Sequence, residues 1–186
     1  MIRIIAGRFR GRKLVVPEGA SVRPTTDRMR ERVFSILSHH RYPDLQYAVV
    51  ADMFAGSGAL GIEALSRGAD HCLFFEQDPK AIAAIKANLK GFETSDFTLK
   101  KQDATQPGKP YVPCDIIFMD APYQQGLTSP TLQAVASKGW LRPDGVIVAE
   151  VHAKEQITLP DSLEIVDERK QGVQKTLFIR FAEKAD

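Results

Sequence analysis

Asp52, Gly56, Gly58, Glu76, Asp103 and Asp120 combine residue type and spacing in a way that could do chemistry. The stretch Asp52-Met53-Phe54-Ala55-Gly56-Ser57-Gly58-Ala59-Leu60-Gly61 follows a short apolar run, Ala48-Val49-Val50-Ala51, and leads into Ile62-Glu63-Ala64-Leu65. A glycine-rich turn between a strand and a helix lets a ligand approach bare backbone and meet helix N–H groups. Glu76 stands 20 residues after Gly56, the distance at which an acid meets a ribose in the dinucleotide fingerprint, which Gly56-Ser57-Gly58-Ala59-Leu60-Gly61 matches literally. Those residues alone admit a nicotinamide oxidoreductase, because any nucleoside cofactor with a ribose diol needs the same acid. Asp52 argues otherwise: a carboxylate just before the loop repels a pyrophosphate and suits a cationic cofactor carrying an amine and a sulfonium. Asp103 could accept from the exocyclic amine of an adenine. The plain alternative for Glu76 and Asp103 is solvation at a strand end.

Asp120-Ala121-Pro122-Tyr123 follows the apolar run Ile116-Ile117-Phe118-Met119. An acid, a rigid turn and an aromatic at a strand's carboxyl end can clamp a nucleobase. The carboxylate and the Ala121 carbonyl can both accept from one amino group, while Tyr123 stacks on the base face. A simple turn, with Pro122 fixing the bend and Tyr123 in the core, would use the same residues.

The elements that must position these groups are legible from pattern. Apolar runs predict strands at 48–53, 71–76, 97–102, 115–119 and 145–151, and helical spacing predicts helices at 58–67, 79–90 and 129–138. Gly68, Gly91 and Gly139 stand just past the helices, where C-cap glycines are expected. Such alternation argues a doubly wound, mostly parallel sheet covered on both faces, with ligands bound beyond the strands' carboxyl ends. Asp52, Glu76, Asp103 and Asp120 all fall at such ends. Leu163–Asp167 and Val173–Phe181 flank a polar turn at Gly172, so the seven-stranded sheet should end in an antiparallel hairpin. Earlier, residues 3–16 look like two short strands around a glycine turn, ended by Pro17-Glu18-Gly19. A helix follows, capped by Thr26 or Asp27, with Met29, Val33, Phe34, Ile36 and Leu37 as its apolar stripe and a break at Tyr42-Pro43-Asp44. The expected organisation is a basic hairpin arm, 1–22, and a catalytic domain, 23–186.

The chain of 186 residues, 44% hydrophobic and 26% charged, has room for one domain with a full core. No apolar run approaches a membrane span, and the N-terminus lacks the apolar region of a signal peptide. Cys72 and Cys114 are far apart, with no Cys-x-x-Cys and no His pair at ligand spacing, so neither a metal site nor a disulfide framework is expected and a cytoplasmic location fits. Net charge is only +2, yet residues 1–32 carry nine Arg and Lys against three acids, a local +6. That asymmetry points to a polyanion partner, or else to a solvated basic face.

Taken together, Asp-x-Phe-Ala-Gly-Ser-Gly, the acid Glu76 and the Asp120-Ala121-Pro122-Tyr123 motif resemble class I S-adenosylmethionine-dependent methyltransferases acting on an exocyclic amine. Arg3-Ile4-Ile5-Ala6-Gly7-x-x-Arg10-Gly11-Arg12-Lys13-Leu14 and Arg23-Pro24-Thr25-Thr26-Asp27-Arg28-x-Arg30-Glu31 narrow the resemblance to the bacterial RsmD family, the small-subunit rRNA guanine-N2 methyltransferases. The family pattern has Asp-Pro-Pro where this chain has Asp120-Ala121-Pro122. The resemblance implies S-adenosyl-L-methionine as cofactor, held by Asp52, Phe54, Ala55, Gly56, Gly58, Glu76, Gln77, Asp103 and Ala104, and catalysis around Asp120, Ala121, Pro122 and Tyr123. It implies a 16S rRNA substrate in a partly assembled small subunit, met by Arg8, Arg10, Arg12, Lys13 and Arg28, and a monomer without metal or membrane. A DNA or RNA adenine-N6 methyltransferase would share the clamp. A nicotinamide oxidoreductase would share only the loop, and a non-catalytic RNA-binding protein only the arm.

Overall fold

The computed structural model describes residues 2–17, 27–39, 41–122 and 125–183. Its main sheet has seven strands: β3 (Val49–Asp52), β4 (His71–Phe75), β5 (Phe97–Lys100), β6 (Cys114–Asp120), β7 (Leu141–His152), β8 (Leu163–Gln171) and β9 (Gln174–Phe181). Their spatial order is β5-β4-β3-β6-β7-β9-β8. The first five are parallel, and β9 runs antiparallel to both β7 and β8. The order reverses between β3 and β6, which is where an open α/β sheet opens a crevice for ligands.

The apolar residues alternate between two faces. Val50, Phe74, Ile116, Phe118, Val146, Val148 and Phe178 join one core cluster with residues of α1 (Asp27–Leu37), α2 (Ala59–Ser66) and α3 (Pro79–Asn88). Ala51, Phe75, Ile117, Met119, Ile147, Ala149, Leu177 and Ile179 join the other, against α4 (Thr128–Lys138). Each helix has a local cause. In α3, Pro79 opens the first turn and the Asp78 carboxylate accepts from the Lys80 and Ala81 N–H groups at 2.6 and 3.2 Å. In α4, Gly139 closes the helix at φ 72°, a conformation glycine adopts without strain. Gly61 in α2 has a different reason: a Cβ there would lie 2.4 Å from the Phe74 ring and 2.6 Å from the Cys72 sulfur, so only glycine lets this helix lie on β4.

Several boundaries differ from the sequence reading. Strand β5 ends at Lys100 because its partner β4 ends at Phe75, and Asp103 consequently lies in the turn beyond the strand rather than at its end. Strand β7 begins at Leu141, ahead of the expected 145, with a register irregularity between Cys114 and Ile116 on its partner β6. Helix α1 ends at Leu37, well before Tyr42. The connection from β5 to β6 contains no helix; it is held by the Trp140 indole N–H, which donates to the Gly108 carbonyl at 2.9 Å, while the Trp140 ring stands edge-on to Phe75.

The N-terminal segment pairs β1 (Ile2–Arg3) with β2 (Lys13–Leu14), as its glycine turn suggested. Ile2, Ile4 and Leu14 sit in the main core rather than apart from it. Gly7 approaches the end of α2 so closely that a Cβ would lie 1.8 Å from the Ser66 carbonyl oxygen. The expected boundary between arm and domain at 22/23, the Arg23-Pro24-Thr25-Thr26 stretch and the proposed Thr26 cap lie outside the described residues. Asp27 begins α1, and its carboxylate takes Arg30 at 2.7 Å and Arg3 at 3.3 Å.

Candidate active site

Asp52 is the last residue of β3 and is 1% exposed. Its Oδ2 accepts from the Gly61 N–H at 3.1 Å, in the first turn of α2. Burial pushes its carboxyl up to about 7, and the nearby Asp120 and Glu76 carboxylates push the same way against the Gly61 bond. Two of the other three sequence-picked acids, Asp120 and Glu76, therefore sit close enough to act on Asp52. The charged groups that act on Asp52 are both acids, an environment that favours a cation and disfavours a phosphate.

Glu76 lies just past β4 and reaches across to the glycine loop: Oε2 accepts from the Gly56 N–H at 2.8 Å, and Oε1 from the Gln77 and Asp78 N–H groups at 2.7 and 2.9 Å. A carboxylate offers about four acceptor positions, so one remains for a hydroxyl donor. Gly56, at φ 55°, is the loop's open point, where a Cβ would meet nothing within 4 Å. Gly58, at φ 78°, starts α2 instead, and a Cβ there would crowd Ile62 at 3.1 Å. Phe54 is partly buried, Ala55 is buried and donates to the Phe75 carbonyl at 3.0 Å, Gln77 is exposed and Ala104 is buried. The Asp103 Oδ1 folds back onto the N–H and hydroxyl of Thr105, both at 2.8 Å.

Asp120 ends β6, next to β3, with Ala121 buried and Pro122 exposed behind it. Tyr123 lies outside the described residues. Of the basic residues, Arg10, Lys13 and Arg28 are exposed and Arg12 is half-buried. Arg8 is half exposed but committed: its guanidinium binds Asp96 at 2.6 Å and lies over the rings of Phe9 and Phe92 at 4.9 and 5.3 Å. Arg12 lies over the same two rings at 5.8 and 5.9 Å.

Sequence reasoning missed the buried polar groups that fix this frame. Glu63, 0% exposed in α2, accepts from the Ile5 and Ala6 N–H groups at 2.8 and 3.0 Å and from Arg67 at 2.7 Å, with Arg30 at 3.8 Å. Arg30, counted with the basic arm, is itself 0% exposed and donates to the Arg3 carbonyl at 2.6 Å. Asn88 donates to the Val15 and Ser57 carbonyls, both at 2.9 Å, and accepts from the Val15 N–H, so it ties the N-terminal segment to the glycine loop. A charged residue inside an apolar helix, as Glu63 is, was the available signal, since such a group needs partners. Cys72 and Cys114 are free and buried; burial raises the Cys72 thiol well above its usual value and the Cys114 thiol to about 12, which leaves both inert.

A sheet with this strand order and reversed last insertion, with acids at its carboxyl edge around a glycine loop, defines a class I methyltransferase. The family model described as "Conserved hypothetical protein 95" matches residues 2–180, and the chain belongs to that family, the RsmD family. It is 36% identical over 176 residues to the ribosomal RNA small subunit methyltransferase D of Escherichia coli strain K12, covering 92% of this chain and 85% of that one. It is 32% identical over 182 residues to the Haemophilus influenzae protein of the same name, covering 92% and 90%. The solved structure of yhhF from Escherichia coli superposes with a TM-score of 0.83 at 34% identity, over 98% of this chain and 99% of that one. The protein is thus a methyltransferase enzyme.

Proposed function

We propose that this protein transfers a methyl group from S-adenosyl-L-methionine to the exocyclic N2 of a guanine in 16S rRNA. The observation that carries the proposal is the convergence of the buried Asp52 with the partly exposed Glu76 and Asp120 beside the glycine loop; relatives named for methylation of small-subunit rRNA support the substrate. The residues fit the cofactor. Asp52 would hold its amino group, Glu76 its ribose diol and Asp103 its adenine amine. The open space at Gly56 gives it room, with Phe54, Ala55, Gly58, Gln77 and Ala104 flanking it. When bound, it supplies a methyl group already activated by positive sulfur, so the protein's task is placement.

A guanine amino group is conjugated with its ring and is a poor nucleophile. The Asp120 carboxylate and the Ala121 carbonyl would accept its two hydrogens, turn the nitrogen lone pair toward the methyl and stabilise the charge that develops on N2. Alanine supplies the same backbone carbonyl as the family's proline. Tyr123 would stack on the base, which must leave its helix to enter. Asp120 would take the released proton. Arg8, Arg10, Arg12, Lys13 and Arg28 would contact phosphates of the rRNA in a partly assembled subunit. The protein would act as a cytoplasmic monomer, and no helix among the described residues is long and apolar enough to cross a membrane.

Calorimetry tests the cofactor. S-adenosylhomocysteine should bind in the micromolar range, about −7 to −8 kcal/mol, and NAD far more weakly. Tighter NAD binding would contradict the proposal. Glu76→Ala should weaken binding, since it removes both a hydroxyl acceptor and the anchor of the Gly56 N–H, while the melting curve stays cooperative.

The arm has its own signature. RNA affinity should fall with salt, by about 0.7 in log–log slope for each phosphate contact to a single strand. Replacing Arg10 and Arg12 together by alanine should weaken RNA binding and flatten that slope by about 1.4, leaving S-adenosylhomocysteine binding unchanged. An unchanged slope would assign these side chains to a solvated face.

A further inference from the structure

We propose that a cleft at the amino edge of the sheet, opposite the cofactor crevice, takes an unpaired nucleotide of the substrate RNA. The proposal rests on the reading of an rRNA substrate and adds a second point of contact to it. The cleft encloses about 400 Å³, within the size range of small-molecule sites. Its place follows from the fold. Residues 44–46 of its wall precede β3, whose far end carries Asp52. Arg67, on the other wall, follows the last residue of α2, whose first turn meets Asp52. The 8 residues of α2 rise about 12 Å, so the length of that helix separates the cleft from the glycine loop. A nucleotide bound there is not the target guanine, and the enzyme would hold its RNA at two points.

The lining suits a flat heterocycle. Its apolar part is Phe34 and Leu37 from the end of α1, both buried, with half-buried Leu45 beside them. Arg67 supplies a cation. Its Nε donates to Glu63 Oε1 at 2.7 Å, and its guanidinium lies 4.7 Å from the centre of the Phe34 ring. Those two contacts hold a planar charge against an aromatic ring. A guanidinium has five N–H donors, so four remain, and none of them has a partner among the described residues. Unstacked RNA bases lie on aromatic rings and guanidinium planes, and free guanidinium N–H groups donate to phosphate. The exposed rim residues Asp44 and Gln46 offer a carboxylate and an amide to a base edge.

The neighbouring charge selects the occupant. Gly7 lines the cleft, and the Arg8 N–H donates to the Ser66 carbonyl at 2.7 Å, which sets the arm loop beside Arg67. Arg10 and Arg12 follow in that loop with no acidic partner among the described residues. Cations that can take phosphates therefore continue from the arm to the mouth of the cleft, as a polyanionic strand requires.

Filling the cleft tests this. Ser38 lines it and is exposed, so Ser38→Trp should occupy the space without touching the Arg67–Glu63 pair. With small-subunit particles as substrate its KM should rise about tenfold or more, the worth of one stacked base. Its kcat at saturating particles should stay within about threefold of wild type, and calorimetric affinity for S-adenosylhomocysteine within about twofold. Arg67→Lys keeps a cation near Glu63 but loses the plane; its KM should rise about threefold or more, and it decides the matter should Ser38→Trp fail to fold. Benzoylphenylalanine in place of His39, an exposed residue of the lining, should crosslink on irradiation to a nucleotide of 16S rRNA other than the target guanine. A folded Ser38→Trp variant with wild-type KM overturns the proposal. So does a crosslink to a ribosomal protein in place of RNA. Free guanosine or adenosine monophosphate binding the wild type at micromolar concentration, abolished by Ser38→Trp while the KM for particles is unchanged, would assign the cleft to a free nucleotide and also overturn it. If the wild-type enzyme methylates no rRNA, the rRNA reading has failed; if it does and both variants match it, only the cleft has failed.

Discussion

Replacing Asp52 by asparagine is expected to make the protein more stable at pH 8 while impairing cofactor binding. The wild-type carboxyl is raised from an ordinary 3.8 to about 7, chiefly by burial and further by Asp120 and Glu76. The folded state therefore binds a proton that the unfolded chain has lost between those two values, and stability falls as pH rises from about 4 to about 7. The size of that loss is on the order of 4 kcal/mol. Asparagine does not titrate and can still accept from the Gly61 N–H. At pH 4 to 5 the variant and wild type should differ little beyond the cost of two buried amide N–H groups, about 1–3 kcal/mol. Toward pH 8 the difference should move in the variant's favour by about 4 kcal/mol. Denaturant melts of both proteins across this range measure it directly, and a difference that is flat with pH would contradict the buried-acid account. Affinity for S-adenosylhomocysteine should fall about ten- to a hundredfold, the loss of one charge-assisted bond. In the wild type that affinity should rise with pH up to about 7, because the ligand's amino group needs the ionised acid. An acid that costs stability at working pH is retained because a cation offsets it.

Asp120→Ala is expected to lower turnover by roughly two orders of magnitude or more, the usual consequence of removing a group that stabilises developing charge. Cofactor affinity should respond in the opposite sense. Asp120 is one of the charges that raise the Asp52 carboxyl, so its removal makes Asp52 easier to ionise. Binding of S-adenosylhomocysteine at pH 6 should be unchanged or somewhat tighter. Single-turnover rates with saturating RNA and cofactor provide the first measurement, and calorimetry provides the second. Turnover near the wild-type rate would remove Asp120 from the chemistry.

The glycine loop, Glu76 and the acids at the strand ends were legible because each leaves a mark on one short stretch of sequence. A strand's apolar run, the polar residue that ends it and a glycine after a helix are local events. Asp103 shows the limit of that locality. Apolar pattern extends β5 to 102, but a strand lasts only as long as its partner, and β4 stops at Phe75. The backbone partners of Glu63 lie 57 and 58 residues away at Ala6 and Ile5, and those of Asn88 lie 73 and 31 residues away at Val15 and Ser57. Nothing in the local pattern of α2 or α3 names them. Charge counting overstates the uncommitted positive charge of residues 1–32 for the same reason. Arg30 contributes to the +6 of residues 1–32, yet it is buried against Glu63, and Arg8 is paired with Asp96.

The most direct test of the central claim is the product itself. Small-subunit particles from cells lacking this protein would be incubated with the purified enzyme and isotopically labelled S-adenosylmethionine, and the rRNA digested and mapped by mass spectrometry. The account predicts label at one guanine of 16S rRNA, in N2-methylguanine, absent when Asp120→Ala replaces the wild-type protein. Label at an adenine N6, or no label in rRNA while the enzyme binds S-adenosylhomocysteine normally, would contradict it.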